Sequence, residues 1–184
     1  MKGVVFTEFL EMVEDRFSPE MADRIIEEAE LHSGGVYTTV GTYDHREMIQ
    51  LVSRLSEATG IPSAELVRSF GMYLFGRFHT MFPKYFEGVT SAFDFLQRTD
   101  HYIHVEVQKL YPDAELPSFD CDTSQPGCLR LTYRSSRPFA ALAEGLIRGC
   151  VAHYGEAVDI AVEDLSEGTG TAARFVLTKR GAAP

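Results

Sequence analysis

HYIHVEVQKLYP, residues 101–112, carries two histidines three residues apart in an apolar run, and its reading decides the fold. As a strand, Ile103, Val105 and Val107 would share one face, with His104 and Glu106 on the other. Over a longer window, Phe93, Leu96, Asp100, His104, Val107 and Tyr111 recur at i, i+3, i+7, i+11, i+14 and i+18, one face of a helix. No Gly or Pro interrupts residues 91–111, and Pro112 stops the pattern, so length favours the helix. The stretch is expected to belong to a long helix with His104 on its buried face and His101 one turn earlier, near that face.

Upstream, the chain reads as helical throughout. Phe6, Phe9, Leu10 and Val13 form a first apolar stripe. Ser18-Pro19 has the form of an N-cap followed by proline at the first helical position, ahead of Met21, Ile25 and Ile26. Gly34-Gly35 break the chain. Met48, Leu51, Val52 and Leu55 form the next stripe, closed by Gly60, and Pro62-Ser63 opens another that carries Leu66, Val67, Phe70, Leu74 and Phe78. Downstream the pattern changes. PDAELPSFDCDTSQPG, residues 112–127, reads as an irregular connection. CLRLTYRSS alternates as a strand, and Phe139, Leu142, Ala143, Leu146, Ile147 and Cys150 mark a buried helix. AVDIAVEDL and TAARFVLTK alternate on either side of SEGTGT, a hairpin signature. The expected class is α+β: a helical N-terminal part, then a small antiparallel sheet with a helix packed on it.

Composition narrows the function. A chain of 184 residues is of ordinary single-domain size and buries roughly 70% of its unfolded surface. A formal charge of −10 and a pI near 5.0 argue against nucleic-acid binding, which needs a basic footprint. The N-terminal stretch MKGVVFTEFLEMVEDRF places Glu8, Glu11, Glu14 and Asp15 in an amphipathic pattern, unlike a signal peptide or membrane span. Three cysteines, Cys121, Cys128 and Cys150, without CxxC spacing indicate neither a disulfide framework nor structural zinc. A reduced, cytoplasmic protein is expected, with no membrane partner.

Two sets of residues could carry chemistry. His104, beside Ile103 and Val107, is either a core imidazole satisfied by a carbonyl or carboxylate, or a single axial ligand to a haem iron. A zinc site from Asp100, His101 and His104 lacks a further ligand cluster downstream. Tyr133, Ser135 and Arg137, read on one strand, share a face at period two. Together they would present a phenol, a hydroxyl and a guanidinium suited to carboxylates, or else form a solvated strand edge.

Taken together, the MKG start, His104 followed by VQKLYP at 107–112, LPSF at 116–119 and above all Y-x-S-x-R at Tyr133, Ser135 and Arg137 carry a resemblance. The chain resembles, end to end, the haem-nitric oxide/oxygen-binding (H-NOX) domains, relatives of the haem domain of soluble guanylate cyclase. The histidine is generic alone; followed by Y-x-S-x-R about thirty residues later it is specific. The resemblance implies one sensor domain over 1–184, with a helical subdomain over 1–62, a proximal-helix and sheet subdomain over 63–184, and haem b buried between them. It implies that His104 is the proximal iron ligand, and that Tyr133, Ser135 and Arg137 hold the two propionates. Pro117 would pack against the porphyrin and distort it. His101 would be a bystander.

The resemblance also bears on which gas binds. Oxygen-binding members carry a distal tyrosine five residues after the propionate arginine, where this chain has Leu142, with Gly145 three residues on. Their accompanying Trp and Asn correspond to Phe9 and Leu74, and Phe78 completes the apolar distal pocket. Tyr73 is the nearest hydroxyl, but it neighbours Leu74 on the helix and should point elsewhere. The implied function is sensing of NO, with CO also bound and O2 excluded. The signal would be release of His104, passed to a separate effector such as a histidine kinase or a cyclic-di-GMP enzyme. No nucleophile with an adjacent base stands out, so no turnover is expected. Rival readings are an apo interaction module whose pocket is shut or holds another hydrophobic ligand, an O2-binding haem protein, and a peroxidase with a polar distal group.

Overall fold

The computed structural model describes residues 1–181; residues 182–184 of the expected domain lie outside the described residues. The helices are α1 (Gly3–Arg16), α2 (Pro19–Glu28), α3 (His45–Thr59), α4 (Ser63–Met81), α5 (Ala92–Arg98), α6 (His104–Leu110) and α7 (Ala140–His153). The strands are β1 (Ser118–Asp122), β2 (Cys128–Arg134), β3 (Val158–Asp164) and β4 (Ala172–Lys179), forming one antiparallel sheet in the order β1-β2-β4-β3. The α+β class and the β3–β4 hairpin agree with the sequence pattern.

Local signals set the helix ends. Ser18 Oγ accepts the Met21 N–H at 3.2 Å, and Pro19 supplies the first helical position of α2. Asp44 caps α3 through the Arg46 N–H, and Gly60 ends it in the left-handed region at φ 74°. Two apolar clusters follow. Phe6, Phe9, Met12, Ile25, Leu51, Leu55, Leu66, Phe70 and Leu74 build the first from α1 to α4. Phe75, Phe95, Leu129, Leu131, Ile147, Phe175 and Leu177 build the second between sheet, α5 and α7. Helix α4 feeds both.

Three local readings need correction. The long helix is not uniform: a π-helical turn, Thr99–Ile103, separates α5 from α6. Its side chains are only partly buried or exposed, and an apolar periodicity does not register one added residue per turn. The stretch at 112–127 is not wholly irregular, since β1 pairs with β2 from Ser118↔Arg134 to Asp122↔Arg130. Asp120 and Asp122 face solvent as edge-strand residues do, and the strand's five-residue length between Pro117 and Pro126 disguises it. Finally, β2 ends at Arg134, so Ser135 and Arg137 lie in the turn beyond it rather than on the strand. Pro138 follows, and Ser135 Oγ accepts the Arg137 N–H at 3.0 Å, a side-chain-stabilised turn.

Helices α4 and α7 cross at very close range. A methyl at Gly145 would stand 2.1 Å from the Arg68 carbonyl oxygen and 2.8 Å from Gly71 Cα, both backbone atoms that cannot rotate away. Glu144, buried beside this crossing, pairs with Arg68 at 2.9 Å and with Arg148 at 2.8 Å. Gly145→Ala is therefore expected to destabilise the protein by about 3 kcal/mol through overpacking. Gly76→Ala in α4, where the added methyl meets nothing within 4 Å, should be neutral or stabilising. Urea-unfolding midpoints check this contrast; equal losses in the two variants would refute the close crossing.

Candidate functional site

The two clusters leave a cavity of about 340 Å³ between them, within the size range of small-molecule and cofactor sites. One wall comes from α1, α4 and α7 through Val5, Leu74, Phe78, Leu142 and Leu146. Opposite stand His104 and Val107 of α6, Pro117, Phe119 of β1 and Leu131 of β2. Tyr133, Ser135 and Arg137 line the cavity as well, with Lys2, Asp113 and Glu115. The turn after β2 thus brings together the three residues that the sequence placed on a strand face.

His104 is the imidazole of this cavity. Its Nδ1 is buried and lies 3.5 Å from Asp100 Oδ1, too long for a good hydrogen bond. With Nδ1 turned to Asp100, Nε2 is the nitrogen available to the cavity. Burial lowers the pKa of the imidazole, against the pull of Asp100, and favours the neutral form that a metal ligand requires. Asp100 is itself fixed, since its Oδ1 accepts the Phe119 N–H at 3.1 Å and ties the π turn to β1. A carboxylate that orients a ligating histidine is the usual second partner in metal sites. Asp100 entered the sequence reading on the helix face of His104 and as a weak zinc ligand, not as the partner of His104; its spacing of four residues before His104 was the available signal. His101 is exposed on the other side of the turn. Among the described residues no group of three or more His, Cys, Asp or Glu side chains is placed to hold a metal ion.

The polar end is built for carboxylates. Arg137 Nη2 holds the Glu115 carboxylate at 2.7 Å. Tyr133 is buried, and burial raises its pKa against hydrogen bonding from Ser135 and the Phe139 backbone. Lys2 Nζ pairs with Asp113 at 2.9 Å, joining the start of α1 to the turn after α6, and Thr42 Oγ1 donates to the same carboxylate. The periodicity of the helices did not disclose Lys2, Asp113 or Glu115.

Phe9 does not line the cavity. It is fully buried, edge-on to Phe70 at 5.2 Å between α1 and α4, and Val5, one turn earlier, takes the wall position. Tyr73 turns away from it, donating to Asp15 Oδ2 at 3.2 Å. Two phenols that the sequence reading did not place there, Tyr85 and Tyr111, do line the cavity; the Tyr85 ring lies between Phe82 and Tyr102 of the π turn, and Lys2 Nζ sits over the Tyr111 ring. Leu74, Phe78, Leu142 and Pro117 all line the cavity.

These residues fit a haem. One neutral imidazole projects into an apolar slot, and at its edge a guanidinium already grips a carboxylate. A haem would need an apolar slot, one neutral imidazole for its iron and donors for its carboxylates, and these residues supply each. The chain belongs to the Haem-NO-binding family, whose profile matches residues 2–162. It is similar to an H-NOX protein from K. algicida in the unliganded Fe(II) state, with 36% identity, 100% of this chain and 99% of that chain covered, and a TM-score of 0.92. The A71G mutant of that protein superposes equally well, at 37% identity over 99% and 98% of the two chains and a TM-score of 0.92. An H-NOX from Shewanella woodyi, bound to IWP-051 in the Fe(II)CO state, shares 44% identity over 100% of this chain and 97% of its own, with a TM-score of 0.83. No curated protein sequence matches significantly. No described helix is long and apolar enough to cross a membrane.

Proposed function

We propose that this chain is a cytoplasmic sensor that binds NO and CO on ferrous haem b, excludes O2 and signals through displacement of His104 to a separate effector protein. The observation that carries the reading is the single apolar cavity shared by His104 and the Tyr133, Ser135 and Arg137 group, in a member of a haem-binding family. A ferrous haem held there would supply reversible binding of a diatomic gas. His104 Nε2 would hold the iron, and Pro117 would pack against the macrocycle. Leu74, Phe78 and Leu142 would form the gas-side wall, dry and without a hydrogen-bond donor.

Absorption spectra of the reduced protein test this directly, taken without additions and then under air, CO and NO. A Soret band that shifts with CO and NO and not with air supports the reading. Protein that purifies without a Soret band and takes up no added haem overturns it in favour of an interaction module. Peroxide turnover no faster than that of free haem would agree with the apolar wall, which offers no acid–base side chain for peroxidase chemistry.

Arg137 sets how firmly the group is held. A charge-assisted pair to a carboxylate contributes about 1.5–3 kcal/mol. Arg137 already pairs with Glu115, whose side chain is 69% exposed, so binding exchanges one carboxylate for another. Arg137→Ala is expected to speed haem loss to apomyoglobin by about tenfold, the low end of that range. Tyr133→Phe and Ser135→Ala remove one neutral bond each and should have smaller effects. The reverse order would mean that Arg137 does not face the propionates.

Signal output follows from how α6 is anchored. Asp100 joins the π turn to β1, and Lys2–Asp113 joins the far end of α6 to α1. Movement of His104 therefore has to be passed to both halves of the fold, 1–62 and 63–184. The effector is proposed to be a histidine kinase or a cyclic-di-GMP enzyme that reads this rearrangement. The chain itself performs no turnover in this reading.

A further inference from the structure

We propose that His79 and His153 form a second metal site, a two-imidazole chelate for a late first-row divalent cation, of which Zn²⁺ is the probe. The rings come from different helices, α4 and α7, with centroids 4.3 Å apart and planes inclined at 49°. Neither histidine lines the haem cavity; Phe75 and Phe86, which do, pack against both His153 and each other.

Three features single this pair out from ordinary ring stacking. Each histidine lies in the last turn of its helix. Two helix C-termini thus converge on one spot, and the partial negative charge of their terminal carbonyls favours a cation there. Among the described residues neither imidazole has a hydrogen-bond or ion-pair partner, so their ring nitrogens are uncommitted. His153 is exposed and His79 half-buried, which leaves an approach from solvent.

The spacing suits chelation. With Zn–N bonds of about 2.0–2.1 Å, two imidazoles on one tetrahedral ion have ring centres roughly 5 Å apart. Side-chain torsions alone can open the pair by that difference. Both imidazoles must be neutral to bind, and burial together with the neighbouring His79 lowers the pKa of His153. Water would fill the remaining positions, since no third His, Cys, Asp or Glu stands near enough among the described residues. Imidazole donors prefer Zn²⁺, Cu²⁺ or Ni²⁺ to Mg²⁺ or Ca²⁺.

The test is titration of the protein as purified with ZnCl₂ against a chromophoric chelator, in excess Mg²⁺, alongside His79→Gln, His153→Gln and the control His32→Gln. Wild type and His32→Gln should take up one Zn²⁺ equivalent at this site. Each of the other two variants should bind it roughly tenfold more weakly or worse, because a single imidazole remains. Imidazole resonances of His79 and His153 should shift together on Zn²⁺ addition, independent of any effect of substitution on folding. Equal uptake by all four proteins, or resonances that do not move, would overturn the assignment.

Discussion

His104→Gly should strip the protein of haem, or leave haem that is held only when imidazole is added. Among the described residues His104 is the one imidazole lining the cavity, and its Nδ1 faces Asp100, leaving Nε2 to the slot. Glycine removes the ring and opens a hole the size of imidazole, so the free base can enter from solvent and restore the missing bond. His101→Ala, which trims an exposed side chain, should keep a near-native spectrum. Asp100→Asn should lie between: the Phe119 N–H keeps an oxygen acceptor, but the imidazole loses its carboxylate neighbour and with it about a factor of ten in ligand strength, as outer-partner mutations cost about 10–100-fold. Spectra of the three purified variants, with and without 10 mM-scale imidazole (on the order of typical rescue concentrations for a weak free ligand, Kd about 1 mM or above), decide the matter. Retention of a native Soret band by His104→Gly, or its loss in His101→Ala, would end the ligand assignment.

How far the sequence foretold this arrangement depends on the physics at each point. The helices α1 to α4 and α7 were legible because each buries one stripe, and because Ser18, Pro19 and Gly60 are local signals that need no tertiary context. The β3–β4 hairpin was legible for the same reason. Strand β1 was not, although Phe119 and Cys121 alternate with exposed Ser118, Asp120 and Asp122: it is only five residues long, and the prolines on either side, Pro117 and Pro126, read as loop. The π turn was invisible because an inserted residue leaves composition unchanged. At the site, His104 and Y-x-S-x-R were recognisable as a pattern, although the shared face of Ser135 and Arg137 arises from a turn and not from strand alternation. Phe9 was misplaced by one helical turn: its own packing against Phe70 outweighs any pull towards the cavity. Lys2, Asp113 and Glu115 escaped because an ion pair across the fold has no sequence period; Asp100 was visible at four residues before His104, but not as that histidine's partner.

In air, the reduced protein should show no stable oxygen complex, while CO and NO should bind fully. Bound oxygen is stabilised by a hydrogen-bond donor in the distal pocket, whereas CO and NO need none. The wall opposite His104 presents Val5, Leu74, Phe78, Leu142 and Leu146, all without a donor. Tyr73 does not line the cavity and is engaged with Asp15. Of the phenols that do, Tyr111 lies under Lys2 Nζ, Tyr133 is at the polar end beside Ser135, and Tyr85, between Phe82 and Tyr102, is the one to test. Leu142→Tyr installs a donor from α7, and a neutral hydrogen bond worth about 1–1.5 kcal/mol tightens oxygen binding about tenfold. Because that hydroxyl also needs a partner to orient it, Leu142→Tyr with Leu74→Asn should exceed the single variant. Stopped-flow oxygen binding and the spectrum in air check the series. A stable oxygen complex in the unaltered protein would show that Tyr85 or another donor reaches the gas, and selectivity for NO would then have to be abandoned.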